Sequence, residues 1–235
     1  MKKDLFDYAI FPTKKQFRKV NCIDKIYGIP KLKIPKNMVL FHPEHYLIND
    51  AIINYNNEVI VTKIYYAYIE KYNNYYKKYK NEEYKFWCKK YIEQTIKELY
   101  SVYDKSIHII NYYYDFKIYP DIDFKKKVRN SLKETDKSFY NKINNIYSKL
   151  YGDKYKNIIR DDITHNFSNM FFRYIPRYYN DRKTGWKTEE AISISDGIKI
   201  IDDICVILGD NLEIIKNKLL ERFPSDKSTT TNAEN

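Results

Sequence analysis

Little in this 235-residue chain supports a disulfide, redox or phosphate-loop architecture. There are only five glycines and three cysteines, Cys22, Cys88 and Cys205. The cysteines are widely spaced, with no CxxC pair, which argues against a disulfide framework or a structural zinc site. Cys88 and Cys205 fall inside helical patterns and read as buried thiols. With so little glycine there is no GxGxxG and no GxxxxGK[ST] segment to cradle a nucleotide. No run approaches the roughly 18 apolar residues of a membrane span. Between Met1 and Pro12, Asp4 and Asp7 interrupt any apolar stretch, so no signal peptide is expected and the expected compartment is reducing cytoplasm.

Proline is also scarce, and its placement organises the chain. Pro12, Pro30, Pro35 and Pro43 punctuate the first segment; only Pro120, Pro176 and Pro224 follow. Interior proline breaks helices, so three long proline-free stretches remain, 44–119, 121–175 and 177–223. Residues 1–43 are basic and weakly periodic, and are expected to form an irregular N-terminal arm.

From Glu44 the apolar spacing becomes i, i+3, i+4: Leu47, Ile48, Ala51, Ile52, Tyr55, Val59 and Ile60 predict a helix to about Tyr79 or Lys80. A second helix is expected from near Glu82 toward Ile110, ending before Pro120. A third should open at Asp121 or Asp123 and run to Leu150. After Gly152 a fourth is predicted, with Tyr155, Ile158, Ile159, Ile163, Phe167, Met170 and Phe171 as its apolar stripe. Arg177–Trp186 reads as a polar loop. Thr188-Glu189-Glu190 then resembles the capped start of a last helix that continues past Gly209 to Leu219 or Leu220. Strand alternation is absent over useful lengths. The expected fold class is all-α: a bundle of four to five long helices spanning 44–222, with a disordered tail over 223–235.

What the chain has in abundance is tyrosine and positive charge: 26 tyrosines, and a formal net charge of +11. Tyrosine packs like a hydrophobe but wants a partner for its hydroxyl. The charge favours a polyanion such as nucleic acid or an anionic membrane. It is carried by lysine amid many Asn, Ile and Tyr, the mixture of an AT-rich coding sequence, so a solvated lysine-rich surface is an equal reading. A basic amphipathic helix of the membrane-surface type is not evident, and no membrane partner is expected.

One segment carries specific chemistry. Within the predicted fourth helix the order is Ile159-Arg160-Asp161-Asp162-Ile163-Thr164-His165-Asn166-Phe167. At 100° per residue, Arg160 and His165 lie about 140° apart, while Asp161 and His165 share a stripe at i, i+4. Histidine exchanges protons near neutral pH, and arginine presents a charged planar fork to phosphate oxygens.

Arg160 and His165 with four residues between them, the first being the polar Asp161, framed by Ile158-Ile159 and Phe167, resemble the active-site motif of the HEPN superfamily. The resemblance covers roughly residues 44–222. It implies a helical bundle and a metal-independent endoribonuclease of defence, stress response or a toxin–antitoxin system. Such an enzyme cleaves RNA by attack of the RNA's own 2′-OH and leaves a cyclic phosphate. Arg160 would stabilise the phosphorane, His165 act as acid or base, and Asp161 support them. The resemblance also implies a homodimer in which two sites face each other, no cofactor, and an antitoxin or nucleotidyltransferase as further partner. The alternative it leaves open is a catalytically inactive RNA- or protein-binding module.

Arg173, Arg177, Arg182 and Lys183, interleaved with Tyr174, Tyr178, Tyr179 and Trp186, are candidate RNA contacts, with phosphates on cations and bases on rings. An ordinary solvated loop anchored by Trp186 is the competing reading. His42 and His45 flank Glu44, but no third metal ligand is near, and a helix-start role fits them better. His108 reads as a core or interface residue. Asp121 and Asp123 read as cap charges, and Asp202-Asp203 as a helix-face pair.

Overall fold

The computed structural model describes residues 32–33, 43–152, 172–179, 182–190 and 192–223. In chain order these form α1 (Pro43–Tyr79), α2 (Glu82–Tyr113), α3 (Phe124–Thr135), α4 (Lys137–Tyr151), strands β1 (Phe172–Tyr179) and β2 (Arg182–Glu190), and α5 (Ile194–Arg222). The architecture is a helical bundle, as the apolar spacing predicts, with one two-stranded hairpin added.

The long proline-free stretch 44–119 folds as a helical hairpin. Pro43 occupies the first helical position of α1, where its missing N–H costs nothing. Lys80 turns the chain with φ 51° while its N–H still bonds Tyr76 O at 2.8 Å. Asn81 then caps α2, its side chain accepting from the Glu83 N–H at 2.9 Å. Ile48, Ile52, Tyr55, Val59, Ile69 and Tyr72 of α1 join Ile92, Ile96, Leu99, Tyr103 and Ile107 of α2 in one core. At roughly 1.5–3 kcal/mol for each buried large apolar side chain, this seam is the main stabilising layer. From the N-terminal arm, Leu32 is buried, and its backbone exchanges two hydrogen bonds with Asn56 of α1 (2.9 and 3.0 Å).

α2 also packs against α3 and α5, and α4 lies against both α3 and α5. The expected single helix from Asp121 or Asp123 to Leu150 is two helices, interrupted at Asp136 (φ −145°, ψ 84°). The reason is a competing set of bonds. The Asp136 carboxylate accepts from the Phe139 N–H (2.9 Å), from the Tyr114 hydroxyl (2.8 Å) and from Lys218 (3.0 Å). One side chain thus caps α4 and ties the end of α2 to the last turns of α5. Burial opposes the charge, yet the Phe139 N–H, the Tyr114 hydroxyl and the Lys218 ammonium together hold the carboxyl down at about 2.

The last helix also starts later than expected. Ser193 is its N-cap, in a reciprocal box with Asp196 (Asp196 N–H to Ser193 Oγ, 3.1 Å; Ser193 N–H to Asp196 Oδ2, 3.3 Å). Thr188-Glu189-Glu190 instead lie in β2, paired with Tyr174, Arg173 and Phe172. Arg177–Trp186 is therefore not a loop but the distal part of a hairpin. Asn180 and Asp181, the two residues between the paired Tyr179 and Arg182, are of the type that fills short hairpin connections. A two-stranded ribbon is all edge, which is where a strand proline such as Pro176 is tolerated. Phe223, the first residue assigned to the tail, is buried, and its ring meets that of His45 edge-on at 5.0 Å.

The Asp136 junction sets a pH dependence. Its folded-state carboxyl lies below the ordinary aspartate value of 3.8, so its contribution is complete above pH ~4 and drains away as pH falls toward 2. Asp136→Ala is expected to cost about 2 kcal/mol at neutral pH, measured by urea denaturation. The gap to wild type should close between pH ~4 and 2; a gap that is constant over this range would contradict the assignment.

Candidate functional site

The motif-bearing segment follows α4 in the chain, and the C-terminal end of α4 is tightly held. Tyr100 of α2 donates its hydroxyl to Leu150 O at 2.8 Å. Lys125 of α3 donates to both carboxylate oxygens of Asp104 (2.9 and 3.1 Å) and to the Tyr151 hydroxyl (3.2 Å). The Tyr151 ring stacks on Tyr147 at 4.7 Å, and Tyr147 carries the Arg129 guanidinium 3.4 Å from its centroid. Burial, and after it the charge of Asp104, push the Tyr151 hydroxyl far above its ordinary value, so it stays neutral. Gly152 follows with no room for a side chain: a Cβ there would sit 2.5 Å from Ser148 O. The glycine is needed for close approach, and it ends α4 at a fixed point. Sequence periodicity marks Gly152 as a helix end but gives no hint of the Asp104–Lys125–Tyr151 cluster, whose members come from three helices.

On the far side of the segment the hairpin fixes the candidate RNA contacts by register. Arg177 stands opposite Gly185, Lys183 opposite Tyr178 and Arg182 opposite Tyr179, with a bulge between Arg177 and Tyr178. These three positions therefore lie toward the connecting end of the hairpin, and none is paired in register with an acidic position. Arg173 is separate, near the open end and opposite Glu189. The catalytic candidates Arg160, Asp161 and His165 lie outside the described residues, as does the whole predicted fourth helix.

The remaining candidates fall into structural roles. His108 stacks on Phe124 at 4.4 Å, and burial, then Lys105, hold its imidazole below the ordinary value, against the pull of Asp104. Cys88 and Cys205 are buried, and burial pushes the Cys88 thiol up to about 12, which excludes it as a thiolate nucleophile. Asp121 accepts from the Asp123 N–H (3.0 Å) and pairs with Lys127, and the Lys127 bond lowers its carboxyl. Asp202 is raised by burial and then by its neighbour Asp203. His42 lies outside the described residues, and among those described no three His, Cys, Asp or Glu groups are placed to hold a metal ion. None of the described helices is long and apolar enough to cross a membrane.

The sequence matches the HEPN_Cthe2314-like HEPN family over residues 47–222, from the first turns of α1 to the end of α5. The chain belongs to this HEPN family. No curated protein and no solved structure gives a significant match. The matched range takes in the helices of the bundle from the first turns of α1 onward and the hairpin.

Gly152→Ala tests the exit from α4. The added methyl must displace the Ser148 carbonyl, and a loss of about 1–3 kcal/mol in thermal or urea unfolding is expected. Unchanged stability would show that the chain can leave α4 by another path.

Proposed function

We propose that this HEPN protein is a metal-independent endoribonuclease that cleaves RNA by attack of the 2′-OH on the adjacent phosphodiester. The observation that carries the reading is that the family match spans residues 47–222, the stretch in which Arg160, Asp161 and His165 stand in the order that resembles the HEPN motif. The chemistry is within reach of these residue types. The nucleophile comes with the substrate, so the protein must move a proton off the 2′-OH, place one on the leaving 5′-oxygen, and stabilise charge at phosphorus. A histidine serves as acid and base near neutral pH, and an arginine fork holds the non-bridging oxygens. Asp161, one turn before His165 on a helix, is of the type and spacing that orients an imidazole.

A single Arg–His pair provides one proton-transfer group. A homodimer with two motifs facing one cleft supplies acid and base together, so the active species is proposed to be a pair of chains. The RNA reaches that cleft with help from Arg177, Arg182 and Lys183 at the connecting end of the hairpin and from Arg173 at its open end. The formal charge of +11 supports a polyanionic substrate. A role in defence, stress response or a toxin–antitoxin pair, with an antitoxin or nucleotidyltransferase partner, belongs to the same proposal.

His165→Ala is expected to lower RNA cleavage by roughly 10²-fold or more while thermal unfolding stays unchanged. Wild-type activity should persist in a chelator, and its fragments should end in 2′,3′-cyclic phosphate. Cleavage that survives His165→Ala, or that stops on chelation, would refute the assignment.

A further inference from the structure

At the opposite end of the helical hairpin from Asp136, the last turns of α1, the first of α2 and the start of α5 enclose an open groove of about 490 Å³. Among the described residues it is lined by Asn73, Tyr76, Lys77, Lys85, Ser193 and Ser195, with Ile194 and Ile198 beneath. Its character is unlike that of the core, because cations, one ring, hydroxyls and an amide face the same space.

The Tyr76 ring carries the Lys80 and Lys85 ammonium groups at 5.9 and 5.8 Å from its centroid. Lys77 and Lys78 form the last turn of α1. Among the described residues of these helix ends, the acidic groups are Glu82, whose carboxylate is 3.8 Å from Lys85, Glu83 beside it, and Asp196; Glu189 and Glu190 precede the groove in sequence. Asp196 is engaged with Ser193 in the cap of α5, so the helix start contributes little unspent positive field and the groove's charge is that of its lysines. Glu82 is largely exposed, and its ion pair is weak in water.

We propose that this groove is a binding track for single-stranded RNA, in which a base stacks on Tyr76 while its flanking phosphates meet Lys77 and Lys85. The inference deepens the ribonuclease reading and rests on it for the identity of the polymer. Three observations favour a nucleic acid over other anions. A ring flanked by cations matches the alternation of base and phosphate in a strand. Asn73, Ser193 and Ser195 offer donors and acceptors suited to base edges. Ser193 of the groove also follows Glu190, the last residue of β2, by three positions, so in sequence the groove comes directly after the hairpin end that carries Arg173. An acidic peptide would satisfy the lysines but would leave Tyr76 with no flat partner.

The test uses the full chain with 2′-O-methyl oligo(U), which lacks the nucleophile and so reports binding without cleavage. Fluorescence anisotropy over a range of salt should give a slope that falls by about 0.7 for each lysine neutralised in Lys77→Gln and Lys85→Gln. Tyr76→Leu should weaken binding roughly five-fold or more. The variant at the exposed Lys77 guards against a folding defect at Tyr76. Wild-type affinity and slope in all three variants would overturn the track while leaving the ribonuclease reading intact. So would a loss of binding confined to polyaspartate. The converse, oligo(U) binding that depends on these residues in a protein that does not cleave unmodified RNA, would keep the track and remove the catalytic reading.

Discussion

The structure depends on the enclosure of α2. This 32-residue helix packs against α1, α3 and α5, and much of its surface is removed from water. A helix so placed must be apolar over much of its circumference or must pair every polar group it buries. It does both. Ile92, Ile96, Leu99, Val102, Ile107 and Ile109 are fully buried. Thr95 returns its hydroxyl to Tyr91 O (2.7 Å) and Ser106 to Tyr103 O (2.6 Å). Asn211 of α5 donates across the interface to Ser106 Oγ at 2.9 Å, which fixes the register of α5 on α2. Asn111 braces the turn after α2 by exchanging two bonds with the backbone of Ile118.

Tyrosine does the work that leucine does in many bundles. Near the α1–α2 turn, Tyr91 stacks on Tyr68 at 4.6 Å and on Tyr72 at 5.6 Å, and Trp87 joins Tyr72 at 6.3 Å. Each ring buries a large area and presents a hydroxyl at its edge. Burial pushes the Tyr91 hydroxyl up to about 12, with Tyr72, Tyr68 and Tyr65 adding to it, so the cluster is neutral at physiological pH. The cost is seen at Tyr55 and Tyr103, whose buried hydroxyls find no hydrogen-bond partner among the described residues. The result is an interior that is rigid and aromatic at one end and ion-paired at the other, where Asp136, Lys218 and Tyr114 meet.

How much of this was legible in the sequence follows from what each element depends on. The extents of α1 and α2 were, because proline spacing and a 3.6-residue period are local signals and agree there. The break at Asp136 was not, since its cause is Tyr114 and Lys218, 22 and 82 residues away, and the apolar period runs on through it. The hairpin was hidden because Phe172–Tyr179 alternates poorly, and its clue was instead the Asn180-Asp181 pair between aromatic flanks. The start of α5 was misread because Thr188-Glu189-Glu190 and Ser193–Asp196 both carry cap-like residues, and only the strand pairing of the first decides between them. Of the site, the residue types of Arg160, Asp161 and His165 are read from the sequence alone. The set Arg173, Arg177, Arg182 and Lys183 is also read from the sequence, whereas its pairing register and the groove at Tyr76 needed the fold, because the groove joins segments distant in the chain.

On the proposed reading, the bundle is a rigid frame that delivers one half of a reaction centre from each of two chains. That claim is tested most directly by subunit mixing. Wild-type protein and His165→Ala are combined in varied ratios after denaturation and refolding together, and RNA cleavage is measured at constant total chain. A centre that requires both chains predicts activity falling with the square of the wild-type fraction. Activity falling in direct proportion to that fraction would mean that each chain cleaves alone, and would contradict the account.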